Sequence, residues 1–349
     1  MRQELKRGGI RLKKSYAIAI DGGTTNTRVR LINLSDLSIV SAAREAIGAK
    51  DTTKVGRERL EEAISYAISK VLKDSDVSQS QVLCVVISGM ITSEAGLLEV
   101  PHVKAPAGLK EISQGVLKRL FPKIWPEPIL FIPGVKTLSE DPLLQDIMRG
   151  EECETLGIIK LMEVKGPTLL ILPGSHTKFV FVDEENRIEG SLTTIAGELA
   201  NALVDSTLIG KSLKTINLSQ IDEEFLLKGF QTARQWGITR SFFLIRLLDL
   251  MSETTPDQRK SFMWGAIVGT DLLALERDPR FLRLTEKEEG KVRIFIGGGD
   301  PLRTIFGKIL ESWSKSHMAC SKVLVVPPDV AEKASAVGAI SVALSLGID

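Results

Sequence analysis

The feature that most constrains the fold of this chain is a pattern that occurs twice, once in each half. An apolar strand ends in a turn rich in glycine and hydroxyl side chains, followed by a basic residue and a returning strand. In the first half the run 16–20 leads into 21–28, and in the second half the run 168–172 leads into 173–178. The turns differ in length, and two unrelated hairpins could resemble each other by chance. The repeat predicts two similar α/β halves that face a common cleft.

Apolar periodicity places further elements around the two hairpins. For the first half it predicts strands over 16–20, 28–32, 38–42, 82–87 and 129–132, and helices over 60–72 and 112–121. For the second half it predicts strands over 168–172, 179–182, 188–194, 292–296 and 323–326, a helix-rich stretch over 198–274 and a last helix over 330–346. This order predicts a mixed sheet flanked by helices in each half.

Three regions follow from this order of elements. We expect a charged tail over 1–15, a first lobe over 16–147 and a second lobe over 148–349. The nucleotide-binding end is expected in the second lobe. The last helix is a candidate to pack back on the first lobe.

Charge and composition exclude several classes of protein. The 45 Lys and Arg residues balance 44 Asp and Glu residues, so a basic nucleic-acid-binding surface is not expected. No apolar run reaches the roughly 18 residues that span a bilayer, so no membrane partner is expected. The basic start lacks the apolar segment of a secretory signal. Three scattered Cys and three His predict a reducing, cytoplasmic location without a clustered metal site.

The turn from Asp21 to Arg28 has the features of a phosphate-binding loop. Gly22 and Gly23 allow a ligand to approach the main chain closely, and successive N–H groups in such a turn form an anion-binding concavity. Asp21, at the end of the strand, is a candidate ligand for hydrated Mg2+. An ordinary polar hairpin turn would have a similar composition. The remaining candidate donors of this loop are Thr24, Thr25, Asn26 and Thr27.

The second turn places two candidate cations, His176 and Lys178, beside hydroxyl groups. This mixture suits a phosphoryl group in transfer, because catalysis there is mostly positioning and charge neutralisation. A histidine at a surface turn is the alternative interpretation of His176. The candidate phosphate contacts of this turn are Gly174, Ser175 and Thr177.

Glycines also follow the late strand, at Gly297, Gly298 and Gly299. They would allow a flat ring or a phosphate to lie against the main chain. The pattern is not the dinucleotide-binding fingerprint, and an ordinary strand-to-helix turn is the alternative.

Asp146 and Arg149 are the main candidates for recognition of an acceptor. Asp146 could act as general base on a sugar hydroxyl, and Arg149 could pair with a substrate carboxylate, which its guanidinium matches in shape. Asp146 could instead be the N-cap of a helix that runs to about Met162. Glu151 and Glu198 are the alternative acidic candidates.

The segment 88–96 follows a buried strand, where open α/β sheets bind ligands. Met90 and Ser93 are therefore candidate contacts in the acceptor pocket, and a structural loop is the alternative. Arg28 is also assigned as a candidate substrate contact.

Together, these motifs resemble those of the 2-dehydro-3-deoxygalactonokinases, sugar-acid kinases of the actin-like ATPase superfamily, which has a ribonuclease H-like fold. The resemblance extends from about residue 16 to 346. Family members usually carry a tryptophan after the loop aspartate, where this chain has Gly22. The motifs occur in family order: 21–28, 89–93, 132–134, 148–152, 173–178, 197–199, 297–299 and 334–339.

The resemblance implies a two-lobed actin-like fold and a reaction. ATP, with Mg2+, would phosphorylate the 6-hydroxyl of 2-dehydro-3-deoxy-D-galactonate, and the lobes would close over both substrates. An actin-like nucleotide-binding regulator or activase without sugar transfer is the alternative, and a catalytically inactive relative is another. The sequence leaves the acceptor and the oligomeric state open, including a homodimer.

Overall fold

A computed structural model describes residues 14–52, 56–287, 292–317 and 322–348, and the side chains of these residues except 315–317. Most of the expected tail over 1–15 lies outside the described residues.

The strands and helices alternate along the chain as an α/β protein requires. The strands are β1 (Tyr16–Gly22), β2 (Thr27–Asn33), β3 (Ile39–Glu45), β4 (Val82–Gly89), β5 (Val103–Lys104), β6 (Leu117–Phe121), β7 (Trp125–Phe131), β8 (Val135–Thr137), β9 (Asp146–Met148), β10 (Thr168–Leu172), β11 (Thr177–Val182), β12 (Ile188–Thr194), β13 (Arg293–Ile296) and β14 (Lys322–Val325). The helices are α1 (Arg57–Asp74), α2 (Leu109–Gln114), α3 (Glu151–Leu161), α4 (Ala196–Ser206), α5 (Gly210–Leu213), α6 (Glu223–Trp236), α7 (Ile238–Met251), α8 (Pro256–Leu275), α9 (Pro279–Lys287), α10 (Leu302–His317) and α11 (Pro328–Leu344).

The chain divides into two compact units. Of the described residues, those within 1–101, 112–133 and 336–349 form the first unit, and those within 102–111 and 134–335 form the second. These bounds differ from the expected lobes, because 102–111 and 134–147 group with the second unit and 336–349 group with the first. The division falls within α11.

The first unit is built on a six-stranded mixed sheet in the order β3-β2-β1-β4-β7-β6. The buried residues of α1 recur every three or four positions, as in Leu60, Ile64, Ala67 and Val71, so one stripe of the helix faces the core. These residues belong to one hydrophobic cluster with Ile18 and Ile20 of β1.

The second unit contains a five-stranded mixed sheet in the order β12-β11-β10-β13-β14. Its core includes apolar residues of β10, β11 and β13 and of α8, which is buried along most of its length. A second sheet, with the order β5-β8-β9, holds Asp146 at the start of β9.

The two large sheets share one connectivity. In each, three consecutive strands form an antiparallel meander, and the first of them pairs in parallel with a later strand: β1 with β4 and β10 with β13. A further parallel strand follows in both, β7 and β14. The predicted α/β class, with a mixed sheet and flanking helices in each half, is confirmed.

Two local predictions are wrong. The helix expected over 112–121 ends at Gln114, because Gly115 interrupts it, and Leu117–Phe121 instead forms the edge strand β6 against β7. Asp146 is not a helix N-cap: it lies in β9, and the N-cap of α3 is Gly150, whose φ of 114° disfavours other residues.

Candidate active site

The first candidate loop, residues 21–28, is the turn between β1 and β2 and is called hairpin 1. Asp21 and Arg28 are paired residues of the ladder, and the Gly23 N–H donates to the Asn26 carbonyl over 2.8 Å to close the turn. Gly23, Thr24 and Thr25 are exposed. The turn therefore presents main chain and hydroxyl groups to solvent.

A glycine outside hairpin 1 supports it. A Cβ at Gly48 would lie 2.5 Å from the carbonyl carbon and oxygen of Thr24, so only glycine allows this approach. The next two residues extend the contact: the Ala49 N–H donates to the Gly23 carbonyl (3.1 Å) and the Lys50 N–H to the Thr24 carbonyl (2.9 Å). These contacts stabilise the turn through its main-chain carbonyl groups and do not involve its side chains.

Asp21 and Arg28 also interact through their side chains, with 3.7 Å between Arg28 Nη1 and Asp21 Oδ2. The Asp21 side chain is 23% exposed, and a Cβ at Gly89 would lie 3.1 Å from its Oδ1. No cluster of three or more His, Cys, Asp or Glu that could hold a metal occurs within the described ranges. A single accessible carboxylate beside a polar turn fits hydrated Mg2+, which keeps several waters and binds through few protein ligands.

Met90 and Ser93 lie in the first unit, after β4. The Ser93 hydroxyl donates to the Met90 carbonyl over 2.7 Å, at the end of a short helix over Met90–Thr92. A Cβ at Gly22 would overlap the Ile91 side chain at 2.0 Å. Ile91 thus occupies the space beside Gly22.

The second candidate loop, residues 173–178, joins β10 to β11 and is called hairpin 2. Five residues separate the paired Leu172 and Lys178, compared with six between Asp21 and Arg28. The difference in turn length expected from the sequence is therefore confirmed.

Hairpin 2 is supported in the same way as hairpin 1. A Cβ at Gly197 would lie 2.5 Å from the Gly174 carbonyl oxygen, and the Glu198 N–H donates to the Ser175 carbonyl over 3.0 Å. His176 Nε2 lies 3.0 Å from Glu198 Oε2, and both side chains are exposed. Glu198, an acceptor-site candidate, thus contacts hairpin 2.

Lys178 is directed away from solvent. It is 5% exposed, and its Nζ donates to the Ile147 carbonyl (2.7 Å) and to the Thr193 hydroxyl (2.8 Å). The Thr193 hydroxyl in turn lies 2.8 Å from both carboxylate oxygens of Asp146. The structure therefore brings together two predicted catalytic residues, Lys178 and Asp146, through a residue that the sequence did not indicate.

The glycines after β13 pack against the start of hairpin 2. Gly298 has a φ of 72°, and a Cβ there would lie 2.6 Å from the Pro173 carbonyl oxygen. Its N–H donates to Glu154 Oε1 over 2.8 Å. Apart from the neighbours of Gly299 in the chain, no described heavy atom lies within 4 Å of a Cβ placed at this residue, so the space beside it is open.

Arg149 lies at the end of β9 and contacts His102. One guanidinium nitrogen is 3.1 Å from His102 Nδ1 and 3.2 Å from Nε2. Burial, with Arg149 and Lys136 nearby, lowers the pKa of His102 to about 4, so its ring is neutral at pH 7. The main-chain N–H of Arg149 donates to Glu151 Oε2 over 3.0 Å, and this bond holds the Glu151 side chain next to Arg149.

Two buried carboxyl groups have strongly shifted pKa values. Burial, followed by the nearby Glu151 charge, raises the pKa of Glu152 to about 7, and burial raises that of Asp271 to about 7. Both Glu152 carboxylate oxygens accept from the Gly150 N–H, at 2.9 and 2.7 Å. Glu152 therefore stabilises the bend that precedes α3.

The predicted site residues form two groups. In the first unit they are Asp21, Gly22, Gly23, Thr24, Thr25, Asn26, Arg28, Met90 and Ser93, and in the second unit they are Asp146, Arg149, Glu151, Gly174, Ser175, His176, Thr177, Lys178, Glu198, Gly297, Gly298 and Gly299. Sequence reasoning missed Gly48, Thr193, Glu154 and His102. A signal existed for Gly48, because both Gly48 and Gly197 follow the third strand of their meander by three residues.

The two units thus contain large sheets of one connectivity, and each sheet carries a polar hairpin that is supported by a glycine. The family model described as "DGOK: 2-keto-3-deoxy-galactonokinase" matches residues 21–313. The chain belongs to this family and is an ATP-dependent sugar-acid kinase.

One solved structure shares this fold. A "putative 2-dehydro-3-deoxygalactonokinase protein from Sinorhizobium meliloti" is 22% identical, with a TM-score of 0.73 over 95% of this chain and 97% of that chain. The activator of the 2-hydroxyisocaproyl-CoA dehydratase from Clostridium difficile with bound ADPNP is 12% identical, with a TM-score of 0.45 over 95% of both chains. The search of curated proteins found no match. In the part of the chain that the structure describes, each helix is too short or too polar to cross a bilayer.

Proposed function

We propose that this sugar-acid kinase transfers the γ-phosphoryl group of ATP to the 6-hydroxyl of 2-dehydro-3-deoxy-D-galactonate. The observation that carries the proposal is the link between Asp146 and hairpin 2. Lys178 of the hairpin contacts Thr193 and the Ile147 carbonyl, and Thr193 contacts the Asp146 carboxylate. A candidate base is thus joined to a candidate phosphate-binding turn.

Hairpin 1 and hairpin 2 are proposed as phosphate-binding elements. Main-chain N–H groups and hydroxyls at exposed turns bind phosphate oxygens well, and both turns keep such groups accessible. Gly297, Gly298 and Gly299 would accept the adenosine, because the space beside Gly299 suits a flat ring.

Asp21 is the proposed protein ligand of Mg2+. Its carboxylate lies partly exposed at the end of β1, next to the turn proposed to bind phosphates. Bound Mg2+ would neutralise phosphate charge. Arg28, 3.7 Å from Asp21, would hold the carboxylate in place as well as contact substrate.

Asp146 is proposed to accept the proton of the substrate hydroxyl. In the transfer, a bond forms between the 6-oxygen of the sugar acid and the γ-phosphorus, and the bond from that phosphorus to the bridging β–γ oxygen breaks. ADP leaves with that electron pair, and the hydroxyl proton passes to the Asp146 carboxylate. Positioned bases of this kind contribute about 10²- to 10⁴-fold to rate.

Arg149 is proposed to bind the acceptor carboxylate. It lies three residues after Asp146, beside the ring of His102. Because this ring is neutral at pH 7, it could also hydrogen-bond the acceptor carboxylate without placing a second positive charge next to Arg149. Glu151, Met90 and Ser93 are proposed as further acceptor contacts. His176 would contact phosphate and is held by Glu198.

The proposal also includes the location and the oligomeric state of the protein. A cytoplasmic location is consistent with Cys84 and Cys153, which are buried free thiols. Light scattering on the purified protein would show whether it is a homodimer.

An ADP-release assay across a panel of 2-keto-3-deoxy sugar acids tests the proposed function. Each acid is omitted in turn, and the product is identified by phosphorus NMR. We expect release that depends on 2-dehydro-3-deoxy-D-galactonate and a phosphate ester at its 6-position. Release of ADP and inorganic phosphate at the same rate without any acid would contradict the proposal.

A further inference from the structure

We infer that Thr193 is a positioning residue that couples Lys178 of hairpin 2 to the carboxylate of Asp146. The inference rests on the proposed function, in which Asp146 receives the proton of the sugar hydroxyl. Thr193 lies in β12, Lys178 in β11 and Asp146 in β9, so three strands of two sheets meet at one hydroxyl group.

The direction of the hydrogen bonds follows from the chemistry of the groups. A lysine ammonium has three N–H donors and no acceptor, so Lys178 donates and the Thr193 oxygen accepts over 2.8 Å. The one proton of the Thr193 hydroxyl is then available to the Asp146 carboxylate, whose oxygens both lie 2.8 Å away. Thr193 accepts from a cation and donates to an anion at the same time, which orders both side chains.

A second contact fixes the main chain beside the base. Lys178 Nζ also donates to the Ile147 carbonyl over 2.7 Å, and the Ile147 N–H donates to Asp146 Oδ1 over 2.8 Å. The Asp146 side chain is therefore fixed from two sides, by Thr193 and by the backbone of the next residue. A rotation of the carboxylate would break one of these bonds.

Burial explains why Lys178 acts through these contacts. At 5% exposure the ammonium needs hydrogen-bond acceptors and a nearby negative charge, and the Ile147 carbonyl, the Thr193 hydroxyl and Asp146 supply them. Two of its three N–H groups are used in this way. Lys178 therefore sets the position of the base instead of serving mainly as the cation that meets the phosphoryl group.

A pair of variants at one position tests this role. Thr193→Val keeps the branched shape and removes the hydroxyl, whereas Thr193→Ser keeps the hydroxyl. We expect Thr193→Val to lower kcat by about 10- to 100-fold while KM for ATP stays near the wild-type value, because a misplaced base slows transfer without changing the nucleotide site. Thr193→Ser should restore most of the rate. Thr232→Val is the control, since this half-buried threonine donates to the Lys228 carbonyl of its own helix over 2.6 Å.

The double variant Lys178→Met/Thr193→Val shows whether the two residues act as one unit. If Lys178 acts through Thr193, the double variant should be no slower than the slower single variant. Multiplied losses would overturn the inference, as would wild-type kcat in Thr193→Val. Equal losses in Thr193→Val and Thr193→Ser, or a raised KM for ATP in both, would reduce Thr193 to a structural role and also overturn it. If the wild type phosphorylates no acid of the panel, the proposed function fails; if it is active and Thr193→Val matches it, only this inference fails.

Discussion

Hairpins 1 and 2 occupy equivalent places in their sheets, and each is supported by its own glycine, Gly48 or Gly197. Their basic residues differ in exposure and in bonding partners. The Arg28 side chain is 51% exposed and lies 3.7 Å from Asp21, whereas Lys178 is 5% exposed and bonded to Thr193. We therefore propose that the same hairpin scaffold serves two different tasks. Hairpin 1 is equipped to bind through its main chain, and hairpin 2 is connected to the candidate base.

The two hairpins also differ in their carboxylates. Asp21 pairs with Arg28 in hairpin 1, and the corresponding partner of Lys178 in hairpin 2 is Leu172. The negative charge near Lys178 comes instead from Asp146, on another sheet. A cation site is thus expected at hairpin 1 and proton transfer at hairpin 2.

The largest effect is expected from Asp146→Asn. The amide keeps the size of the side chain but does not take up the hydroxyl proton, so kcat should fall by about 10²- to 10⁴-fold. The Kd for ATP, measured by calorimetry, should stay close to that of the wild type. Asp141→Asn is a matched control, because that exposed carboxylate caps a short helix through the Leu143 N–H. Wild-type turnover in Asp146→Asn would reject the assignment and direct attention to Glu151 or Glu198.

A smaller loss of activity is expected from Asp21→Asn. Asp21 lies in hairpin 1, the proposed site of the cation, so the substitution should weaken Mg2+ binding. The neutral amide is a weaker ligand for Mg2+ than a carboxylate, so the Mg2+ concentration for half-maximal activity should rise by about tenfold or more. A magnesium titration of ADP release measures this shift, and chelation with EDTA should abolish the activity of the wild type. An unchanged titration curve would place the cation elsewhere.

Substitutions of the supporting glycines should have similar, moderate effects in both hairpins. A Cβ at Gly48 or Gly197 would lie 2.5 Å from main-chain atoms of its turn, so Gly48→Ala and Gly197→Ala must displace the turn. We expect KM for ATP to rise by roughly 3- to 30-fold in each, as binding of both substrate and transition state weakens. Gly307→Ala, which would meet a side-chain carbon of Val325 at 2.9 Å, is the control. If one variant left KM unchanged, its hairpin would not bind the nucleotide.

The smallest effect is expected from Glu152, which is fully buried in the second unit, and it concerns the dependence of stability on pH. Its pKa is raised to about 7 in the folded state, so the folded protein holds a proton that the unfolded chain releases between about pH 4.5 and 7. The free energy of unfolding should therefore fall as pH rises through this range. Glu152→Gln removes this dependence and should be stabilised relative to the wild type by roughly 1 to 3 kcal/mol more at pH 8 than at pH 5. Urea unfolding at the two pH values measures the difference, and parallel pH profiles would contradict the assigned cause.

Much of the fold could be predicted because local patterns determine it. Residues 168–172 and 188–194 are strands with the bounds that alternation and apolar runs indicate. The predictions of secondary structure fail where pairing between separate strands determines the structure of a segment. Leu117–Phe121 has helix-forming residues, but it pairs with β7 after Gly115 ends α2.

Residues of the candidate site could be predicted where a local sequence motif marks them. They could not be predicted where their role depends on contacts between distant segments of the chain. The glycine and hydroxyl composition indicated both hairpins. Thr193 could not be found, because its contact with Asp146 joins positions 47 residues apart on different sheets. His102 is likewise 47 residues from Arg149, and its neutral state depends on burial that a sequence does not display.

The most direct test of the central claim compares Arg28→Met with Lys178→Met in a rapid-quench single turnover at saturating ATP and sugar acid. If hairpin 2 is coupled to the base and hairpin 1 serves binding, Lys178→Met should slow transfer by about 10- to 100-fold, while Arg28→Met should stay within about threefold of the wild-type rate. Equal transfer rates in the two variants, or a larger loss in Arg28→Met, would contradict the division of roles between the hairpins.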